Sequence, residues 1–355
     1  MTPERLVRPE VLAMQAYAVA PARGMVKLDA MENPYSLPQE LRRELAQRLA
    51  RVDLNRYPEP NPRALRDLIV RKMGVPAGME LLLGNGSDDL IQIVSLALAR
   101  PGAAMMYPAP TFVMHGVNAA LSGMKAVPVA LREDFSFDAE AFIARLREIR
   151  PALVFLAYPN NPTGVLYPES DVARVVRAAE GLVVVDEAYH VFAGASFLPR
   201  LGEFPNLAVL RTVSKLGLAG IRLGYLAGRP PWLEQFNKVR QVYNVNVLTE
   251  AAALFVLEHL EVLEEQAARI RAERDTLGQA LAALPGVGVF PSQANFYLVR
   301  VPHALRVDEA LKRQGVLVKN LHPALVDCLR ITVGTPDENR ILLSALKEAL
   351  AHAQG

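Results

Sequence analysis

The sequence predicts an α/β protein in which a sheet lies between helices, with a smaller α+β domain attached. Between about residues 46 and 250, short apolar runs alternate with helical patterns, which is typical of parallel strands covered by helices on both faces. The chain has 355 residues, and single hydrophobic cores stop growing near ~250–300 residues. We therefore expect two domains.

Seven short apolar runs are the candidate strands of the larger domain. They are residues 80–83, 103–107, 126–129, 153–157, 182–186, 207–210 and 224–227. Seven strands of this length would make one open sheet of ordinary size.

The remaining third of the chain has a different pattern. From Thr249 to about Leu284, leucine and other apolar residues recur at spacings of three and four, which predicts a long helix that ends at Pro285-Gly286. Two strand-like segments follow, at 295–299 and 329–333, with a helix at 307–314 between them and a closing helix from Pro336. We expect a large domain at 46–254, and a small domain made of 255–355 together with 1–45, which includes an N-terminal arm.

Composition and charge exclude several classes of partner. There are 39 Lys and Arg against 37 Asp and Glu, a net charge of +2, so no basic field is present to hold nucleic acid or an anionic membrane. The longest apolar segment, 90–99, is well short of the ~20 residues that a membrane span needs. No secretory signal is visible, and the single cysteine, Cys328, is typical of a reducing compartment. We expect a cytoplasmic protein.

Two loops of the larger domain have the composition of ligand-binding segments. Residues 84–89 follow a strand and open a helix, so free backbone N–H groups and the helix dipole would converge beside Ser87, where a phosphate could bind. An ordinary helix N-cap is the alternative interpretation. Residues 160–164 are typical of a turn, but they follow a strand at the sheet edge where ligands bind in open α/β sheets, so Asn161 is a candidate donor.

Charged residues follow two further strands at the same edge. Asp186 ends a fully apolar strand, where a carboxylate needs a partner unless it only caps the next helix. Lys215 follows Thr212 and Ser214 after the next strand, and Arg222 lies seven residues later. Lysine amines form Schiff bases with carbonyl groups, and pyridoxal 5'-phosphate brings a carbonyl, a phosphate and a ring nitrogen. These residues include a possible partner for each of the three groups: a lysine for the carbonyl, a carboxylate for the ring nitrogen, and a loop with an arginine for the phosphate.

With these motifs, the sequence resembles the fold-type I pyridoxal-phosphate enzymes and, within them, the histidinol-phosphate aminotransferase family. The resemblance spans nearly the whole chain. Its segments are 28–35, 56–58, 84–89, 110–112, 159–164, 186–189, 211–215 with Arg222, 243–246 and 329–335. It implies a mixed, mostly parallel seven-stranded sheet between helices in the large domain.

The resemblance also implies roles for the residues around the cofactor. Lys215 would hold pyridoxal 5'-phosphate as a Schiff base and move the substrate proton, while Asp186 would keep the ring nitrogen protonated. Asn161 and Tyr189 would bond the phenolic oxygen, and Phe112 would stack on the ring. The phosphate would be surrounded by Gly86, Ser87, Asp88, Thr212, Ser214 and Arg222. Tyr57 would reach it from a second subunit, which implies a homodimer.

Substrate contacts are implied in the small domain and the N-terminal arm. Arg330 would grip the anionic end of the substrate, since a guanidinium matches both carboxylate and phosphate. Tyr17 and Asn33 would close over the substrate. Lys319 stands where family members commonly have an arginine, and Met31 where many have asparagine, so we leave Met31 outside the site.

The activity implied is transfer of an amino group from histidinol phosphate to 2-oxoglutarate in histidine biosynthesis, with a small-molecule amine and a 2-oxo acid as substrates. A decarboxylase of a phosphorylated amino acid and an aromatic amino acid aminotransferase are the alternatives within the fold. An aminotransferase-like sensor domain of a transcription regulator is disfavoured, because residues 1–45 are too few for a DNA-binding domain with a linker. The six histidines lack the paired spacings of zinc sites, so no metal is expected.

Overall fold

The structure is a computed structural model that describes residues 2–16 and 20–353. The strands are β1 (Val26–Leu28), β2 (Glu80–Gly84), β3 (Ala104–Ala109), β4 (Lys125–Ala130), β5 (Leu153–Ala157), β6 (Leu182–Asp186), β7 (Leu207–Thr212), β8 (Gly224–Gly228), β9 (Gly288–Val289), β10 (Phe296–Arg300), β11 (Val316–Asn320) and β12 (Cys328–Thr332).

The helices alternate with these strands through most of the chain. They are α1 (Pro9–Leu12), α2 (Gln39–Leu49), α3 (Arg63–Met73), α4 (Ser87–Leu98), α5 (Val113–Ser122), α6 (Ala139–Ile149), α7 (Glu169–Ala178), α8 (His190–Ala193), α9 (Pro230–Val239), α10 (Val247–Glu258), α11 (Leu260–Ala282), α12 (Ala304–Arg313) and α13 (Pro336–Ala353). A short π-helical turn, Ser214–Leu218, follows β7.

The large sheet contains the seven predicted strands in the order β2-β8-β7-β6-β5-β3-β4. Only β8 runs against its neighbours, β2 and β7, while β7, β6, β5, β3 and β4 pair in parallel. The predicted mixed, mostly parallel sheet is therefore confirmed. The register places Ala157 of β5 beside Asp186 of β6, so these two strands end at the same edge.

Helices cover both faces of this sheet because its central strands are apolar on both sides. In β5, Val154 and Leu156 pack into one hydrophobic cluster with α3, α6 and α7, whereas Leu153 and Phe155 pack into another with α4, α5 and α9. Alternating side chains of a strand point to opposite faces, so a continuous apolar run is buried twice. This explains why the sequence pattern was uninterrupted rather than alternating.

The small domain has its own sheet, in the order β1-β11-β12-β10-β9. The predicted strands at 295–299 and 329–333 correspond to β10 and β12, which pair antiparallel. The short strands β1, β9 and β11 were not predicted from the sequence. Because β11 pairs antiparallel with β12, Lys319 lies directly beside Arg330 on the neighbouring strand.

The predicted helix at 249–284 differs from the structure, which has two helices, α10 and α11. The break is at His259, whose backbone (φ −106°, ψ 37°) leaves the helical region and whose N–H bonds to the carbonyl oxygen of Val256. The apolar spacing continues across the break, so the pattern did not reveal it. Along α11, Leu263 packs in the large-domain core and Ala267 packs in the small-domain core. The domain boundary at 254/255 stays a prediction.

Across the described residues, no helix combines the length and the apolar character of a membrane span.

Candidate active site

A cleft of about 570 Å³ opens at the carboxyl edge of the large sheet and collects most of the predicted residues. It is lined by Ser87, Asp88, Phe112, Asn161, Asp186, Tyr189, Thr212, Ser214, Lys215 and Arg222, together with Met31, Ala157, Pro159 and Ala188. These residues come from loops that follow different strands. Their convergence at one edge is the arrangement in which open α/β sheets bind ligands.

Lys215 lies at the base of this cleft, in the turn that follows β7. Its Nζ donates a hydrogen bond of 2.8 Å to the carbonyl oxygen of Ala30. Burial and then the nearby charge of Arg330 lower the pKa of Lys215 to about 8, although Glu32 and Asp88 oppose the shift. About a tenth of the amine is therefore unprotonated and nucleophilic at pH 7, far more than for an ordinary lysine.

Asp186 ends β6 and is buried, and its environment contains a histidine that the sequence analysis missed. One oxygen, Oδ1, accepts a hydrogen bond from the backbone N–H of Ala188 (3.1 Å), and Oδ2 lies 3.5 Å from Nε2 of His115. The His115 ring is fully buried and stacks on Phe155 with ring centres 4.6 Å apart. The carboxylate is therefore contacted on its inner side, and its remaining hydrogen-bond acceptor sites are available to the cleft.

A chain of hydrogen bonds joins the two domains across the cleft. Asn161 donates through Nδ2 to the Tyr189 hydroxyl (3.1 Å), and its Oδ1 accepts from Nη1 of Arg330 (2.6 Å). Arg330 also donates to the carbonyl oxygen of Asp29 (2.8 Å). The predicted substrate residue is therefore connected directly to a predicted cofactor residue.

The loop before α4 forms a cup that suits a phosphate. Gly86 is the N-cap residue and has no side chain, so no side chain caps the first amide groups of α4. An ordinary N-cap, the alternative interpretation of this segment, would have a side chain bonded to those amides. Nη1 of Arg222 lies 3.4 Å from the Ser214 hydroxyl, which bonds in turn to Thr212 (2.9 Å). Nη2 of Arg222 lies 3.6 Å from Asp88, whose pKa is raised by burial despite this neighbouring charge.

This set of groups fits pyridoxal phosphate. A half-buried lysine can bond a carbonyl, a buried carboxylate can pair with a protonated ring nitrogen, and amides with a guanidinium can bind a phosphate. Gly86 has a positive φ of 88°, and a Cβ atom there would lie 2.6 Å from Nη2 of Arg222. The cup therefore depends on glycine at this position.

The structure places the other predicted residues elsewhere. Tyr57 is 81% exposed and stacks on Tyr243 at 4.6 Å, away from the cleft lining. Asn33 uses its amide to bond the carbonyl oxygen of Leu216 (3.1 Å) and Oε1 of Gln266 (2.9 Å), so it ties the N-terminal segment to the loop after Lys215. Tyr17 lies outside the described residues.

A second cleft, of about 890 Å³, adjoins the first and shares Met31, Phe112 and Asn161 with it. Lys319 and Arg330, which are paired across neighbouring strands, both line this cleft. Met31, which the sequence analysis left out, lines both clefts and is held by a hydrogen bond from its N–H to the Thr332 hydroxyl (3.0 Å).

The sequence model of class I and II aminotransferases matches residues 23–346. This chain belongs to that family. Histidinol-phosphate aminotransferase 1 of Burkholderia lata is 57% identical over 98% of this chain and 99% of its own length. A histidinol-phosphate aminotransferase of Chromobacterium violaceum is 54% identical over 98% of both chains.

A solved structure gives the same fold. Histidinol-phosphate aminotransferase from Sinorhizobium meliloti, in complex with pyridoxal-5'-phosphate, superposes with a TM-score of 0.86 at 26% identity and 98% coverage of both chains. The predicted family, enzyme class, fold and cofactor are confirmed. The individual roles of the site residues stay predictions.

Two features of this aminotransferase could not be found from the sequence. His115 stands three residues after Phe112, inside an apolar helix, and nothing in that pattern indicates that it faces Asp186. Residues 29–30 supply backbone carbonyl oxygens to Arg330 and Lys215, a role that any side chain would allow.

Proposed function

We propose that this aminotransferase transfers the amino group of histidinol phosphate to 2-oxoglutarate, giving imidazole-acetol phosphate and glutamate in histidine biosynthesis. The observation that carries the proposal is the half-buried Lys215, which shares the cleft with Asp186 and whose pKa is lowered by burial and by the charge of Arg330. The full-length identity to relatives of that name supports the same reaction.

In this proposal, pyridoxal phosphate supplies the carbonyl that bonds the substrate nitrogen and the ring that takes up electrons from Cα. Lys215 would hold the cofactor and, once freed as an amine, would move the proton from the substrate Cα to the C4′ carbon of the cofactor. Asp186 would keep the ring nitrogen protonated, and His115 lies behind its carboxylate, with Nε2 3.5 Å from Oδ2. Asn161 and Tyr189 would donate hydrogen bonds to the phenolic oxygen of the cofactor.

Arg330 and Lys319 would bind the anionic ends of the two substrates. The guanidinium of Arg330 can form paired hydrogen bonds with a carboxylate or a phosphate, which suits an enzyme that receives glutamate and a phosphate ester in turn. Lys319, on the neighbouring strand, adds a second positive charge to the same cleft. Tyr17 and the loop around Asn33 would close over the bound substrate, with the Asn33 side chain tying that loop to Leu216 and Gln266.

A half-reaction tests this proposal. The cofactor-loaded enzyme is mixed with histidinol phosphate alone, and the visible absorbance of the lysine-bound cofactor is recorded. We expect the absorbance to be lost and then restored by 2-oxoglutarate. Loss with glutamate but not with histidinol phosphate would contradict the proposed donor, and release of carbon dioxide without an oxo acid would indicate a decarboxylase instead.

We also propose a homodimer in which Tyr57 completes the phosphate cup of the second subunit. Tyr57, Leu54 and Val242 are 81%, 71% and 63% exposed, and large exposed apolar side chains near one another mark interaction surfaces. Tyr57 and Tyr243 stack at 4.6 Å and so present one rigid aromatic surface to the partner.

Subunit mixing tests the dimer. Lys215→Ala and Tyr57→Ala chains, each inactive or weak alone, are unfolded together and refolded as mixed dimers, in which one of the two sites has both residues intact. We expect the mixture to recover about a quarter of the wild-type activity, since about half of the dimers are mixed. No recovery would contradict the role of Tyr57 across the interface.

We place the enzyme in the cytoplasm, because its single cysteine, Cys328, is a free, buried thiol that suits a reducing compartment.

A further inference from the structure

A third cleft, of about 780 Å³, lies between the two hydrophobic cores, and none of its described lining residues belongs to the active-site cleft. One wall is a single face of α11, formed by Leu260, Glu264, Ala267 and Arg271 at helical spacings of four, three and four. The lining also includes Lys72, near the end of α3.

Two polar residues of the cleft contribute no unbalanced charge. Arg211 is buried and paired with Glu187, with Nη2 and Oε2 2.8 Å apart. His190 is held through Nδ1 by the backbone carbonyl oxygen of Glu187 (3.0 Å). Burial and the charge of Arg211 lower the pKa of His190 to about 3, so its ring is neutral at physiological pH.

Lys72 and Arg271 provide the unbalanced positive charge. Arg271 donates through Nη1 to the carbonyl oxygen of Val191 (2.6 Å), and Lys72 lies 3.4 Å from that of Glu258. Within the described ranges, neither cation has a carboxylate within salt-bridge distance. Glu264 also makes no ion pair there, so two positive charges and one negative charge line the cleft.

We propose that this cleft binds a small oxyanion, of the carboxylate or phosphate type, between Arg271 and Lys72. Arg271 keeps N–H donors beyond the one it gives to Val191, and a guanidinium matches planar and tetrahedral oxyanions alike. Glu264 opposes binding and moderates the affinity. Lys72 extends from a helix of the large-domain core, and Arg271 follows Ile270, which packs in the small-domain core. A bound anion would therefore link the two domains behind the Lys215 loop.

Calorimetric titration of the cofactor-loaded enzyme with inorganic phosphate, and separately with acetate, tests the site at constant ionic strength. The Arg330→Gln variant weakens anion binding in the substrate cleft, so the part of the remaining signal that depends on Arg271 and Lys72 can be assigned to the proposed site. In that background we expect Arg271→Gln and Lys72→Gln each to weaken binding by at least about tenfold. We expect Glu264→Gln to strengthen it, since a repelling charge is removed.

Arg269→Gln is the matched control, because Arg269 lies two residues before Arg271 on the same helix and pairs with Glu265 at the surface. Its binding should equal that of the parent. Thermal unfolding in sodium chloride checks that each variant is folded. If the parent binds phosphate or acetate and Arg271→Gln does not, the site is supported. The anion that binds then shows whether the site prefers a phosphate or a carboxylate. Equal binding in Arg271→Gln and its parent, or no binding of either anion to the parent, would overturn the proposal.

Discussion

His115 lies behind Asp186, with Nε2 3.5 Å from Oδ2, and its ring is fixed by stacking on Phe155 at 4.6 Å. The imidazole has no exposure to solvent. It therefore acts on the reaction indirectly, through Asp186 and through Phe112, whose ring meets the imidazole edge-on with ring centres 5.7 Å apart.

Replacing His115 with phenylalanine should lower kcat by about 2- to 10-fold, because it removes a polar contact of 3.5 Å to Asp186, and an ordinary polar contact is worth about 0.5–1.5 kcal/mol. The phenyl ring keeps the stacking on Phe155, so the packing is largely retained. Steady-state kinetics and the absorbance spectrum of the bound cofactor measure the effect. An unchanged spectrum with unchanged kcat would remove His115 from the positioning of Asp186.

Replacing Gly86 with alanine should weaken binding of pyridoxal phosphate by at least about tenfold. The new Cβ would lie 2.6 Å from Nη2 of Arg222 and push the guanidinium out of the cup. Equilibrium dialysis with the apoenzyme measures the dissociation constant. Gly102→Ala is the matched control, since Gly102 also has a positive φ, 78°, but nothing within 4 Å of the added atom. Equal affinities of the two variants would contradict the role of the cup.

The rate at which pyridoxal phosphate attaches to the apoenzyme should depend on the ionisation of Lys215. Only the unprotonated amine reacts, and its pKa is about 8, so the rate should fall about tenfold per pH unit below that value and level off above it. Stopped-flow absorbance at a series of pH values measures this profile.

A variant of Arg330 tests the cause of this low pKa, because the positive charge of Arg330 helps to lower the pKa of Lys215. In Arg330→Gln the midpoint should move to higher pH. Lys238→Ala, which changes an exposed lysine, should leave the midpoint unchanged. A midpoint near the ordinary lysine value in the wild-type enzyme would contradict the environment described for Lys215.

Removing Arg211 should destabilise the fold strongly. Its partner Glu187 is fully buried and also accepts hydrogen bonds from Ser196 and from the backbone N–H of Phe197. Burial raises the pKa of Glu187, a shift that Arg211 opposes. Arg211→Ala should therefore cost about 3–5 kcal/mol in the free energy of unfolding, measured with urea. Arg211→Met combined with Glu187→Leu should recover part of that loss, and failure of Arg211→Ala to destabilise would contradict a buried ion pair.

The sequence by itself determined the seven strands of the large sheet, since a strand buried on both faces must be apolar throughout. It also indicated that Asn161, Asp186 and Lys215 would meet, because parallel strands bring their carboxyl ends to one edge. These inferences depend on local patterns and on the rules that connect parallel strands.

Only the tertiary structure decided the contacts between segments that are distant in the chain. His115 and Asp186, or Arg330 and Asn161, meet because helices and domains pack against the sheet, and no local pattern carries that information. The helix break at His259 was hidden because the apolar spacing is the same on both sides of it. The carbonyl oxygens of Asp29 and Ala30 could not be assigned from the sequence, since backbone groups are identical at every residue and only folding places them beside Arg330 and Lys215.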